Sequence, residues 1–155
     1  MQATTAGVRG PVTEVYKVRE MQLGANWFYW VAILAVINSF LVYYFGIPSL
    51  FFGLGTTQYV DAQMVAAGPE AQRWTGLAVD LGIAGIIAAF GYLTRKGGDF
   101  AFILGMFLYV FDSVVALGYR DFFGFGFHMF ALFFMFKGLL ASRRRYDPSV
   151  DYTGA

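Results

Sequence analysis

Residues 107–145 read FLYVFDSVVALGYRDFFGFGFHMFALFFMFKGLLASRRR. They belong to two apolar runs, 100–119 and 122–141, each with about the 20 residues that a helix rising ~1.5 Å per residue needs to cross a hydrocarbon core. Only Arg120 and Asp121 separate the runs, so they are expected to fold back on each other as a helical hairpin. One acid, Asp112, and one imidazole, His128, stand inside the hairpin, and Arg143, Arg144 and Arg145 close it. A charged group placed within so apolar a run must face protein or water rather than lipid. The stretch therefore predicts an all-α polytopic membrane protein.

The rest of the chain extends that reading. Of its 155 residues, 58% are hydrophobic, 20% aromatic and 14% charged, a balance outside that of soluble domains. Two further spans lie at about 27–46 and 75–94, giving a four-transmembrane-helix bundle over residues 25–142. Residues 1–24 form a polar arm, 47–74 the one long loop, and 143–155 a basic tail. The first span reads as an anchor rather than a cleaved signal peptide, because a polar segment precedes it and no small-residue cleavage site follows. Arg9, Lys17 and Arg19 precede span one, Arg95 and Lys96 separate spans two and three, and the arginine triplet follows span four. By the positive-inside rule both termini are cytoplasmic and the 47–74 loop is extracytoplasmic. The compact design and lack of a targeting peptide suggest a bacterial inner membrane.

Local signals set the boundaries. In RKGGDF (95–100), Gly97 and Gly98 can take the left-handed stop and Asp99 is a natural N-cap for span three. Pro48 ends the first helix, and Pro69 with Glu70 suits the first turn of the second. Residues from about 57 to 67 are a candidate short helix lying along the outer interface. Gln58, Asp61 and Gln63 are expected to face water there, with Asp61 available to an outer vestibule. Arg120 and Asp121 read as a solvated turn pair, and Lys137 as snorkelling to the interface.

Four polar residues fall in one layer. Counted from the cytoplasmic edge of each span, Asn38, Asp80, Asp112 and His128 lie about 17 to 21 Å deep. Asp80 shares a helix face with Ala84, Ile87 and Gly91, Asp112 with Gly105, Leu108 and Ala116, and His128 with Gly124, Leu132 and Met135. If both acids and the imidazole ionise, the layer carries a net charge of minus one, with no Lys or Arg at that depth. A proton, a cation or water must then compensate it. Two readings compete: a hydrogen-bonded network that fixes helix register, or a site for a proton, a cation or a substrate.

Other chemistries are excluded. With no Cys, there are no disulfides, thiolate metal sites, iron–sulfur clusters or thiol catalysis. P-loop, dinucleotide, HExxH and GxSxG motifs are missing, and one His cannot supply a bis-His haem or a three-His zinc shell. No cofactor is implied, any metal is open, and no catalytic residue is assigned. The basic residues flank the spans instead of forming a nucleic-acid stripe. In size, four-span layout and outer-half aspartates the chain resembles the lipoprotein signal peptidase family, whose members cut signal peptides with an intramembrane aspartate pair. Asp112 stands in YVFDSV and span four offers FHMFAL, without that family's Asn-x-x-Asp-Arg and Phe-Asn-x-Ala-Asp motifs, so no catalytic residue carries over. Three functions fit. The favoured one is an accessory or assembly subunit whose Phe-rich faces meet lipid, other membrane subunits or a second copy. The others are a proton- or cation-coupled small transporter or channel component, and an intramembrane hydrolase using an Asp pair.

Overall fold

The computed structural model of the chain describes residues 11–46, 54–67 and 70–144, with side chains over 16–46, 54–67 and 74–143. These described residues form five helices: α1 (Pro11–Phe45), α2 (Gly55–Ala67), α3 (Glu70–Arg95), α4 (Asp99–Gly118) and α5 (Phe122–Arg144). Four are long and apolar enough to cross a membrane, over Tyr16–Phe45, Trp74–Arg95, Asp99–Gly118 and Phe122–Arg143. The basic tail beyond Arg144, Pro48 and Pro69 lie outside the described residues.

Helix α1 starts well before its apolar run. Pro11 stands at the first helical position, where its missing N–H leaves no bond unmade. Residues 11–24 of the expected arm are therefore helical, and they continue into the span without a break. The packing order is α3, α1, α5, α4: α1 lies along both α3 and α5, and α5 along α4. Helices α3 and α4, although consecutive, touch little, and α2 packs against α1, α3 and α4 at one end of the bundle. That end, where α1 stops, α3 starts and α4 turns into α5, is called the α2 end below.

Two turns show how the sequence stops its helices. After α3, Gly97 takes φ +87°, its N–H reaches the Thr94 carbonyl at 3.0 Å, and the Gly98 N–H reaches Leu93 at 3.3 Å. This is the Schellman pattern that a left-handed glycine permits. Gly98, not Asp99, occupies the N-cap position of α4, and its lack of a side chain leaves that cap unmade. The Asp99 carboxylate instead accepts a hydrogen bond from the Ser142 hydroxyl, tying α4 to the end of α5. At the other turn Asp121 does not serve as a surface partner of Arg120: its Oδ1 accepts the Gly124 N–H at 2.7 Å and caps α5.

The bundle is apolar outside and partly polar within. Phe100, Phe107, Phe111, Phe122, Phe123 and Phe133 are exposed, whereas Asn38, Ser39, Asp61, Asp80, Asp112 and His128 are buried. A soluble domain places these classes the other way round. The hydrophobic core gathers around Phe28 of α1, whose ring meets Phe90 and Phe102 with centroids 6.5 and 6.1 Å apart. Helices α1 and α5 cross backbone to backbone at Gly24 and Gly138: a Cβ added at Gly24 would lie 2.5 Å from the Gly138 Cα. Small residues at such crossings let helices gain dispersion contacts where no hydrophobic force drives them together. Gly24→Leu is accordingly expected to destabilise the bundle by about 1–3 kcal/mol through overpacking. Gly126→Ala, in open space on α5, should stay within about 0.5 kcal/mol. Thermal unfolding in detergent checks both, and a Gly24→Leu midpoint equal to wild type would remove the crossing from the account.

Candidate functional site: two buried acid sites joined by a short helix

Ser39, Asp80, Asp112 and His128 each stand six residues from the α2 end of their span, about 9 Å along a helix. The structure divides the acids at this level into two sites. Asp112 is paired with His128, while the electrostatic neighbours of Asp80 are Asp61, Ser39 and Tyr43. Asn38 is buried on α1 beside Ser39.

The first site is built on the N-terminus of α2. A helix start leaves backbone N–H groups without partners, and the residue before α2, Leu54, has no side-chain acceptor to offer them. Asp112 supplies one from α4. Its Oδ2 accepts the Gly55 N–H at 2.8 Å, and its Oδ1 accepts the Thr56 N–H at 2.8 Å and the Thr56 hydroxyl at 2.7 Å. The carboxylate also lies where the positive end of the α2 dipole favours negative charge. A fourth contact comes from His128, whose Nε2 lies 2.7 Å from Asp112 Oδ2. Four contacts use the approximately four lone-pair directions of a carboxylate. Asp112 therefore acts here as a saturated staple and has no free direction for a ligand.

His128 is oriented from both sides. Its Nδ1 lies 2.7 Å from the Gly124 carbonyl, one turn back on α5, and a carbonyl only accepts, so Nδ1 donates. Nε2 and Oδ2 then share one proton between them, as imidazolium with carboxylate or imidazole with carboxylic acid. Both forms are neutral as a pair, which spares the interior a net charge. The Tyr109 ring stacks on the imidazole, with centroids 4.6 Å apart and planes 20° apart.

The second site lies five residues along α2. Asp61 is 2% exposed, contrary to its expected place facing water. The start of α2 packs into the end of the bundle: Leu54, Gly55 and Thr57 are buried, and a Cβ on Gly55 would lie 2.9 Å from the Asp112 carbonyl. This insertion turns Asp61 toward Asp80 of α3 and Tyr43 and Ser39 of α1. Ser39 donates its hydroxyl to Asp61 Oδ2 at 3.2 Å. The groups lie near enough to one another to interact, yet by distance and angle Asp61 Oδ1, both oxygens of Asp80 and the Tyr43 hydroxyl complete no hydrogen bond. Buried polar atoms are otherwise almost always partnered. Burial pushes the Asp61 carboxyl above the ordinary carboxylate range.

Among the described residues no group of three or more His, Cys, Asp or Glu side chains converges as a metal cluster. Neighbouring hydroxyls are satisfied within their own helices: Thr57 donates to the Leu54 carbonyl at 2.9 Å and Ser113 to Val110 at 2.6 Å. Sequence reading missed Asp61 because its neighbours Gln58 and Gln63 give the segment a solvated look. The signal that was present is the apolar residue directly before the helical Gly55-Thr56-Thr57, a start that its own sequence cannot cap.

Two measurements follow. Asp112→Ala leaves the α2 start uncapped and His128 unpaired, and is expected to cost about 3–5 kcal/mol. Asp112→Asn and His128→Gln should couple by about 0.5–3 kcal/mol in a double-mutant cycle of unfolding in detergent, and additive costs would contradict the pairing. The second concerns pH. Because the Asp61 carboxyl is raised in the folded state, its contribution to stability is complete below the ordinary carboxylate pKa and is lost as pH rises through the raised value. The thermal midpoint should fall over that window, and Asp61→Asn should flatten the fall; equal slopes in both proteins would refute it. No family model, curated protein or solved structure matches the chain, so its function is argued from these two sites.

Proposed function

We propose that the chain is a small integral membrane protein that binds a proton or cation at the Asp61–Asp80 pair, as a small transporter or channel component. The observation that carries this reading is the set of unpartnered oxygens on Asp61, Asp80 and Tyr43, buried between three helices. Burying a polar atom without a hydrogen bond costs about 1–3 kcal/mol, and more for a charged one. A network serving only to fix helix register would gain nothing by leaving four such atoms unmade.

The competing readings lose ground on the same residues. An intramembrane hydrolase needs its acid pair open to a peptide or ester, but Asp61 and Asp80 are 2% and 1% exposed. Asp112 has no lone pair left with which to activate water. An accessory subunit would be served by the exposed Phe residues of α4 and α5, yet the same surface suits lipid alone. The basic residues support an orientation with Arg95, Lys96 and Arg143 toward the cytoplasm and the α2 end toward the outside.

Reconstitution tests the proposal. Liposomes containing the protein, loaded with pH, sodium or potassium indicators, should dissipate at least one imposed gradient. Asp61→Asn and Asp80→Asn should each reduce the rate at least tenfold, and Ser113→Ala should leave it unchanged. Rates equal to protein-free liposomes for every gradient would overturn the transport reading, and purification with a stoichiometric membrane partner would then favour the accessory role.

A further inference from the structure

We propose that the ligand of the Asp61–Asp80 site is a proton, carried on Asp80 while Asp61 stays the carboxylate. This rests on the ion-site reading above and narrows it. The first argument is the supply of ligand atoms. The site offers Tyr43 Oη, Asp61 Oδ1 and the two oxygens of Asp80, with Asp61 Oδ2 already accepting from Ser39. Calcium takes six to eight oxygens and magnesium demands an octahedron. Sodium sites within membranes are completed by carbonyls of unwound helices. Here α3 runs unbroken past Asp80, so its carbonyls there are committed to the helical ladder, and α1 and α2, which end at Phe45 and Ala67, leave only last-turn carbonyls free. A proton needs none of that shell, since two facing carboxyl groups can hold it between them.

The second argument is charge. Among the described residues, the groups facing Asp80 are Tyr43 and Ser39 from α1 and Asp61 from α2, and none is a cation. The one imidazole in the layer is already committed to Asp112 in a pair that is neutral as a whole. Two ionised carboxylates side by side would therefore stand uncompensated in the interior, and the first proton taken up removes that repulsion.

The third argument places the proton. Asp61 accepts a hydrogen bond from Ser39 at 3.2 Å, which favours its ionised form, whereas the nearby Ser39 and Tyr43 hydroxyls are not in hydrogen-bonding geometry with either oxygen of Asp80. A protonated Asp80 can turn its O–H toward Asp61 Oδ1, and the Tyr43 hydroxyl can donate to the same carboxylate. One proton thus gives a partner to each oxygen-bearing group of the site. The Tyr43 hydroxyl lies against Gly76, where a Cβ would fall 2.2 Å from it, so α3 holds the phenol close.

Infrared difference titration of the purified full chain tests this directly. The carbonyl stretch of a protonated carboxyl group should be present at low pH and vanish as pH rises. Its midpoint should move less than twofold in proton affinity between choline, sodium, potassium and calcium chlorides. Asp80→Asn should abolish the step of the band that titrates at the highest pH, Asp112→Asn should leave that step, and Asp61→Asn should weaken its proton affinity at least tenfold. A midpoint that shifts about tenfold for each tenfold rise in sodium or calcium would overturn the proposal, as would a highest-pH step that survives Asp80→Asn. The salt arm uses the wild-type protein and so stands even where a variant fails to fold. A salt-independent band without flux retains the proton and removes transport; a sodium-competed band with flux does the reverse.

Discussion

The Asp112 carboxylate seats α2, and much of the bundle's α2 end follows from that. A thirteen-residue helix cannot span a membrane or hold itself together in isolation. Its free N–H groups would be costly among apolar side chains, and Asp112 converts that cost into attachment by accepting two of them together with the Thr56 hydroxyl. His128 keeps the acceptor aimed and the local charge at zero. With its N-terminus fixed, α2 fills the space where α3 and α4 meet little, and it carries Asp61 to Asp80.

The two acid sites differ in how completely they are satisfied. At Asp112 every acceptor direction is used, the imidazole tautomer is set by a carbonyl, and the Tyr109 ring covers the pair, its own hydroxyl alone left without a partner. At Asp80 neither oxygen has a partner. Satisfied networks fix structure, and unsatisfied ones mark where binding can supply what folding did not. Under the proposed function the separation gives positioning to the Asp112–His128 pair and ion binding to Asp61 and Asp80, although all four lie on or beside the same short helix.

Much of this architecture was readable from the chain. The four spans follow from apolar length, and the Arg95–Gly98 stop from two cations and a glycine that reaches φ +87°. Asp112 and His128 could be placed at one depth because a two-residue turn joins their helices. What the sequence did not disclose is contact between distant segments. Leu54 gives no hint that an aspartate 58 positions away will cap the helix it precedes. Asp61 sits among glutamines, and only the insertion of α2 buries it. Depth alone grouped Asp80 with Asp112, since counting along helices fixes height but not rotation or neighbours. The early start of α1 was masked by the charges of Lys17, Arg19 and Glu20, which interrupt apolarity without interrupting helix.

The distance between cap and helix also orders the protein's assembly. The chain emerges N-terminus first, so α2 is made before the acceptor that holds its start, and the pairing partner of that acceptor comes later still, on α5. Until α4 and α5 are in place, α2 can rest on α1 and α3, but its start has no cap. The cap on α2 is therefore among the last contacts to form, and a nascent chain truncated before His128 would contain every residue of the Asp61–Asp80 site without the complete clasp on the helix that carries Asp61.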